Sequence, residues 1–256
     1  MRNIKLALEY DGTAYSGWQS QKRGEATVQA ALEEAVEKLT GRRPRVIGSG
    51  RTDAGVHALG QVACFRTASA LGADVIKRGL NALLPPDIRV REAEEAEPGF
   101  HPQLSARGKR YFYVISNSER LSPFMERFAW RVPQRLAVPA MRTAAAFVVG
   151  RRDFSAFRAS GSSARTSERE ITRVAVSSAR GLCFAGARLE GRFIRVTVEG
   201  DGFLRHMVRN IVGTLVDVGR GKIKPGDVPG IIASGDRKAA GPTAPARGLF
   251  LEKVFY

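Results

Sequence analysis

The chain has 256 residues, 43% of them hydrophobic, which is enough to bury a full core in one large domain or two medium ones and excludes a disordered tail or a small stapled module. Basic residues outnumber acidic ones by 41 to 25, a net charge of +16, and this points to a polyanionic partner, because a basic surface attracts phosphate and releases its counterions on binding. Most of the basic residues are arginine, whose planar fork suits phosphate and stacks on bases, although an arginine-rich genome produces the same bias.

From Ile4 to Tyr10, apolar residues alternate with Lys5, Ala7 and Glu9, the period of a strand with one buried face. Between Thr27 and Thr40, Val28, Ala31, Leu32, Ala35, Val36 and Leu39 recur at helical spacing opposite a charged face. A short strand at Arg45 to Ile47 and another at Gln61 to Arg66 follow. Asp74 is the expected N-cap of a helix that stops before Pro85-Pro86. Ile88 to Ala93 and Lys109 to Ser116 are expected strands. Beyond Ser116 a proline-bearing stretch reads as a crossing between halves. A helix from about Pro139 to Val149 leads into the arginine-rich segment Arg151 to Glu170. Strands are expected at Ile171 to Ser177, Leu182 to Leu189 and Phe193 to Glu199, then an apolar helix over Phe203 to Val218, a shorter one at Val228 to Ser234, and a closing strand, "LFLEKVFY". Strands joined by hairpins and crossovers in each half argue for α+β sandwiches rather than a doubly wound parallel sheet. The division expected is 1–105 and 106–256. The amino terminus turns charged at Glu9 before an apolar run reaches signal-peptide length, no stretch is long enough to cross a membrane, and Cys64 and Cys183 lie far apart outside any C-x-x-C; a cytoplasmic protein is expected.

The stretch "GSGRTDAGVHALGQVACF", Gly48 to Phe65, places Arg51 and Asp53 two residues apart among glycines and then runs into an apolar strand. Glycines allow a bend that can aim both side chains into one cleft. A carboxylate held away from water needs a cationic partner to stay ionised, and an ionised, oriented carboxylate can act as nucleophile or general base. The plainer alternative is that Asp53 only caps a turn or helix at Ala54 to Leu59. Rival motifs fail on spacing. Asp53 and His57 stand four apart, but His101 and His206 have no companion ligands, so no metal is expected. "EYDGTAYSGWQSQ" contains no phosphate-binding glycine pattern, and there is no G-x-S-x-G elbow.

Taken together, "EYDGTAYSGWQSQ", "GSGRTDAGVHALGQVACF", "LNALLPPDI", "FHPQLSARGKRYFYVI", "DFSAF", "GFLRHMVRNIVGTL" and "ARGLFL", in this order over essentially the whole chain, resemble the motifs of the tRNA pseudouridine synthase A (TruA) family. The resemblance implies two similar ferredoxin- or RRM-like halves with mainly antiparallel sheets flanking a central basic cleft, and a homodimer. It implies an isomerase that breaks the N-glycosidic bond of a uridine, turns the uracil and joins C5 to C1′, with neither cofactor nor metal. The substrate it implies is the anticodon stem-loop of tRNA, positions 38 to 40 in tRNA nomenclature. Asp53 falls on the family's catalytic aspartate and Arg209 on its basic partner. Arg209 otherwise sits among apolar helix neighbours, where a guanidinium needs a carboxylate or must snorkel to solvent. Tyr111 falls on the active-site tyrosine that packs against the target base, and Arg51 on an arginine that helps to extrude the nucleotide. Lys109, Arg110 and Arg158 are candidate phosphate contacts. A non-catalytic RNA-binding module built on aromatic-bearing sheets is the alternative, and a nuclease or glycosylase is a second.

Overall fold

The period of two in the first strand predicts what forms: β1 (Arg2–Tyr10) buries Ile4, Leu6, Leu8 and Tyr10 and leaves Lys5, Ala7 and Glu9 partly in solvent. The computed structural model describes residues 1–21, 24–161 and 164–256; Ser162 and Ser163, within the arginine-rich segment, lie outside the described residues. α1 (Val28–Thr40) starts where the Thr27 hydroxyl accepts a hydrogen bond from Ala30 N at 3.3 Å, and it buries Val28, Leu32, Ala35 and Val36 as its spacing requires. β2 (Ile47–Gly48), β3 (His57–Thr67), α2 (Ala73–Leu83) and β4 (Ile88–Ala96) follow. Gly72, not Asp74, occupies the N-cap of α2; Asp74 sits inside the first turn, where its charge favours the helix dipole without a capping hydrogen bond.

The second stretch builds β5 (Gly108–Ser116), β6 (Trp130–Arg131), α3 (Val138–Val148), β7 (Gly150–Asp153), β8 (Glu168–Phe184), β9 (Ala187–Gly200), α4 (Met207–Gly219) and α5 (Val228–Ser234), before β10 (Leu249–Phe255) closes the chain. The separate strand expected at Leu182 to Leu189 is instead the tip of one long hairpin. Ala185 and Gly186 both have positive φ, 50° and 81°, so the chain reverses between Phe184 and Ala187, which face each other across the ladder. The helix expected from Phe203 begins only at Met207, because His206 is left-handed with φ 60° and cannot continue a right-handed hydrogen-bond ladder.

Two compact units result, Met1–Arg107 with Phe250–Tyr256, and Gly108–Leu249. In the first, the strand order is β4-β1-β3-β10, with β1 antiparallel to both β4 and β3, β2 antiparallel on β3, and β10 parallel beside β3. α2 lies against β4 and α1 against α2. In the second, the order is β5-β9-β8-β7, antiparallel throughout, with β6 parallel on β5; α3 packs on β8 and α4, and α5 on α3. The architecture is α+β with mixed, mostly antiparallel strand pairing. The division expected at 105/106 leaves the closing strand with the second half, whereas Phe250–Tyr256 packs with the first unit. Non-local contacts place it there: Phe250 pairs with His57, Phe255 O accepts from Arg107 N at 2.8 Å, and the Tyr256 hydroxyl donates to Pro102 O at 2.8 Å.

Candidate active site

The loop between β2 and β3 carries Arg51 and Asp53, and it rests on buried polar groups rather than on apolar packing. Ser49, fully buried, donates its amide to Val62 O at 2.7 Å and its hydroxyl to Gln61 Oε1 at 2.7 Å. Gln61, equally buried, donates through Nε2 to Gly50 O at 2.9 Å and to the Tyr10 hydroxyl at 3.4 Å, and that hydroxyl meets Thr52 Oγ1 at 2.8 Å. Burial pushes the Tyr10 phenol up to about 12, against the lowering effect of its Thr52 and Gln61 hydrogen bonds, so the ring stays a neutral link in the chain. A satisfied network of this kind fixes the backbone at Gly50 and the side chain at Thr52, one residue to either side of Arg51.

Asp53 itself is half-buried and Arg51 exposed. The cap-only alternative required a helix or turn at Ala54 to Leu59. The structure has a single turn, in which Val56 N donates to Asp53 O at 3.1 Å with Gly55 at φ 74°, and strand β3 starts directly at His57. The early segment "DGTAYSGW" braces this turn from the other side. Trp18 N donates to Thr52 O at 3.0 Å and Gly55 N to Tyr15 O at 3.3 Å. The approach is so close that a Cβ on Gly12 would stand 2.0 Å from Val56 O, and one on Gly17 would stand 2.6 Å from Thr52 O. These glycines therefore belong to the same site as Asp53. His57, which pairs with Asp53 at metal-ligand spacing in the sequence, turns elsewhere: its Nδ1 lies 3.1 Å from Gly12 N and 3.0 Å from Asp11 Oδ1, and its ring stacks on Phe250 at 4.7 Å. Among the described residues no group of three or more His, Cys, Asp or Glu side chains could hold a metal ion.

The remaining candidates lie in the second unit. Tyr111, on β5, is 8% exposed and packs edge-on against Phe203 at 5.1 Å, an interplanar angle of 82°. Two residues on, Tyr113 is fully buried against Trp130 and donates its hydroxyl to Pro245 O at 2.7 Å. Burial holds that phenol far above the usual tyrosine range, opposed by the charges of Arg209 and Arg247, so its role is structural. Tyr113→Phe leaves the Pro245 carbonyl without this donor and is expected to cost about 1 kcal/mol in urea unfolding with no change in tRNA affinity. Lys109 sits on the same strand, and burial lowers its pKa. Arg110 lies opposite Glu199 in the β5–β9 register, with Nε 2.9 Å from Oε1, and Arg173 approaches the same oxygen at 3.6 Å. Arg158, half-buried, follows the Ser155–Phe157 turn; the Asp153 carboxyl beside it is held low mainly by hydrogen bonds from Ser155, with a smaller effect of the Arg158 charge. Arg209, in the first turn of α4, donates Nε to Ala244 O at 2.7 Å, and Ala244 N returns a hydrogen bond to Arg209 O at 3.1 Å. That reciprocal pair fixes the first part of the guanidinium stem.

The structure thus groups Arg51 with Asp53 on one loop, and Lys109, Arg110 and Tyr111 on one strand. The motif-based reading overlooked Tyr10, Ser49, Thr52 and Gln61. A glutamine opening an otherwise apolar strand, "GQVACF", was the available signal.

The family model for tRNA pseudouridine synthase matches residues 6–103 and 144–256. Proteins named tRNA pseudouridine synthase A align with the chain throughout: that of Acetivibrio thermocellus is 47% identical over 256 residues and covered in full on both sides. That of Geobacter sulfurreducens is 48% identical over 254 residues, 99% of each chain, and that of Myxococcus xanthus is 48% identical over 256, all of this chain and 92% of its own. The chain belongs to the tRNA pseudouridine synthase family, and it is an isomerase acting on uridine in tRNA.

Proposed function

We propose that the chain converts uridine to pseudouridine at positions 38 to 40 of the tRNA anticodon stem-loop, with Asp53 acting at the ribose. The observation that carries this reading is the placement of Asp53, half-buried on a turn fixed by buried hydrogen bonds, in a chain that belongs to the family over its length. The carboxylate either bonds to C1′ as the N1–C1′ bond breaks or takes the C2′ proton to leave a glycal. In both routes the uracil turns and C5 bonds to C1′, as the Asp53–C1′ bond breaks on the first route or as the proton returns to C2′ on the second; the C5 hydrogen then leaves and N1 ends protonated, so product and substrate have equal mass. Arg209 is proposed as the cation that keeps Asp53 ionised, Tyr111 as the ring beside the extruded base, and Arg51 as the guanidinium that fills the vacated space. Lys109, Arg110 and Arg158 are proposed phosphate contacts, of which Arg110 has the least charge to offer, given its Glu199 partner.

The mostly antiparallel strand pairing and flanking helices of each unit support reading the two units as related ferredoxin- or RRM-like halves. Among the described residues no helix is long and apolar enough to cross a membrane, and a cytoplasmic homodimer is proposed. Incubation with unmodified tRNA followed by carbodiimide labelling tests the activity: strand mass unchanged before labelling, and then a labelled nucleotide in the anticodon arm, are expected. Binding without labelling would leave a non-catalytic RNA-binding protein, and strand cleavage or free uracil would mark a nuclease or glycosylase.

A further inference from the structure

A cavity of about 410 Å³ in the second unit is lined by Gln134, Arg135, Arg220 and Lys222, side chains that present mainly hydrogen-bond donors. It forms where the segment after β6 meets the carboxyl end of α4, and both walls are fixed. Asn117, buried, donates Nδ2 to Val132 O at 2.8 Å and to Gln134 O at 2.7 Å and accepts from Leu136 N at 3.2 Å, while Ala137 N donates to Gly219 O at 2.8 Å. Asp217 is the acidic group at the site, its Oδ1 3.3 Å from Arg220 Nη1 and 3.9 Å from Lys222 Nζ. One carboxylate set against Arg135, Arg220 and Lys222 leaves an excess of positive charge. Arg220 is further held by Gln134 Oε1, 3.2 Å from Nη2, and by the Trp130 ring, 5.9 Å from the guanidinium carbon. Its Nε is buried without a hydrogen-bond partner among the described residues. Three of the four lining residues, Arg135, Arg220 and Lys222, carry a cationic head, and that charge favours an anionic ligand.

We propose that this cavity binds a phosphate diester of the tRNA backbone, remote from the nucleotide being isomerised. The proposal rests on the reading of the chain as a tRNA-modifying enzyme. Arg220, the C-cap of α4, follows Arg209 by eleven residues, about 16 Å along the helix axis. That is too far to touch the phosphates flanking a nucleotide held near Arg209. The contact therefore supplies affinity from a distance and leaves the chemical step alone.

Arg135 and Lys222 are exposed, so Arg135→Ala/Lys222→Ala should fold normally. KM for full-length tRNA is expected to rise about tenfold at low salt and the slope of log Kd against log salt to fall by roughly two, with the single-turnover rate at saturating tRNA within about twofold of wild type. Arg135→Lys/Lys222→Arg should restore KM. The charge-matched pair Arg42→Ala/Arg78→Ala, exposed in the first unit, should move it less than about threefold. An unchanged KM and salt slope, or an equal loss in the charge-matched pair, overturns the proposal. So does calorimetric binding of inorganic phosphate that the variant loses while its tRNA affinity stays intact, since that marks a site for free phosphate. Wild-type protein that binds tRNA without isomerising it sinks the functional reading instead, because Kd and salt slope are measured without turnover.

Discussion

Asp53→Asn is expected to lower pseudouridine formation by at least about 10³-fold while tRNA affinity changes by less than about threefold. The amide matches the carboxylate in shape but can neither bond to C1′ as an anion nor accept the C2′ proton, so both routes fail together. Affinity is set largely by phosphate neutralisation, to which a single half-buried acid contributes little. The loop should keep its form, because the hydrogen bonds through Thr52, Gly50, Gln61, Tyr10 and the main-chain oxygen of residue 53 all survive the change. Single-turnover carbodiimide assays and filter binding on the same preparation measure the two quantities. Near wild-type conversion by this variant would remove Asp53 from the mechanism, and a parallel collapse of binding would make it a structural residue.

Local signals carried most of the elements. α1 was legible in the spacing of Val28, Leu32, Ala35 and Val36 and in Thr27 before them, and β1 in its alternation. What escaped was set by contacts distant in sequence or by single backbone angles. The largely apolar run from Leu182 to Leu189 does not show that Ala185 and Gly186 adopt positive φ, so one hairpin read as an extra strand. The closing strand reads as a strand in any context; contacts distant in sequence, such as the pairing of Phe250 with His57 and the hydrogen bond from Arg107 N to Phe255 O, assign it to the first unit. The glycine-flanked "GRTD" announced a shaped turn around Asp53, whereas its support is spread over Tyr10, Ser49, Thr52 and Gln61, three of which come from different elements or their ends. No local pattern joins a tyrosine at the end of β1 to a glutamine in β3.

The same reasoning makes Gly12→Ala the most informative change outside the motif. A Cβ at this position would lie 2.0 Å from Val56 O and 2.7 Å from Val56 C, and the atoms it meets are backbone, so no side chain can swing aside. Gly12 N also donates to His57 Nδ1 at 3.1 Å, so moving residue 12 away weakens that contact as well. Alanine reduces unfolded-state freedom by roughly 0.4–1 kcal/mol relative to glycine, and overpacking of this severity outweighs it, giving a net loss of about 2–3 kcal/mol. For a chain of this size that lowers Tm by roughly 5–10 °C. The functional loss should be larger in proportion: Val56 closes the turn on Asp53 O, and a shift near 1 Å at a reacting group costs on the order of 10²-fold in rate. Gly72→Ala is the control, since φ is −61° there and nothing lies within 4 Å of the added Cβ. Differential scanning calorimetry, with single-turnover rates taken well below Tm, separates the two effects. A Gly12→Ala protein that melts and turns over like wild type would show that the early segment does not hold the Asp53 turn. One that melts lower but keeps its rate would show that the turn is positioned by the Gln61 network alone.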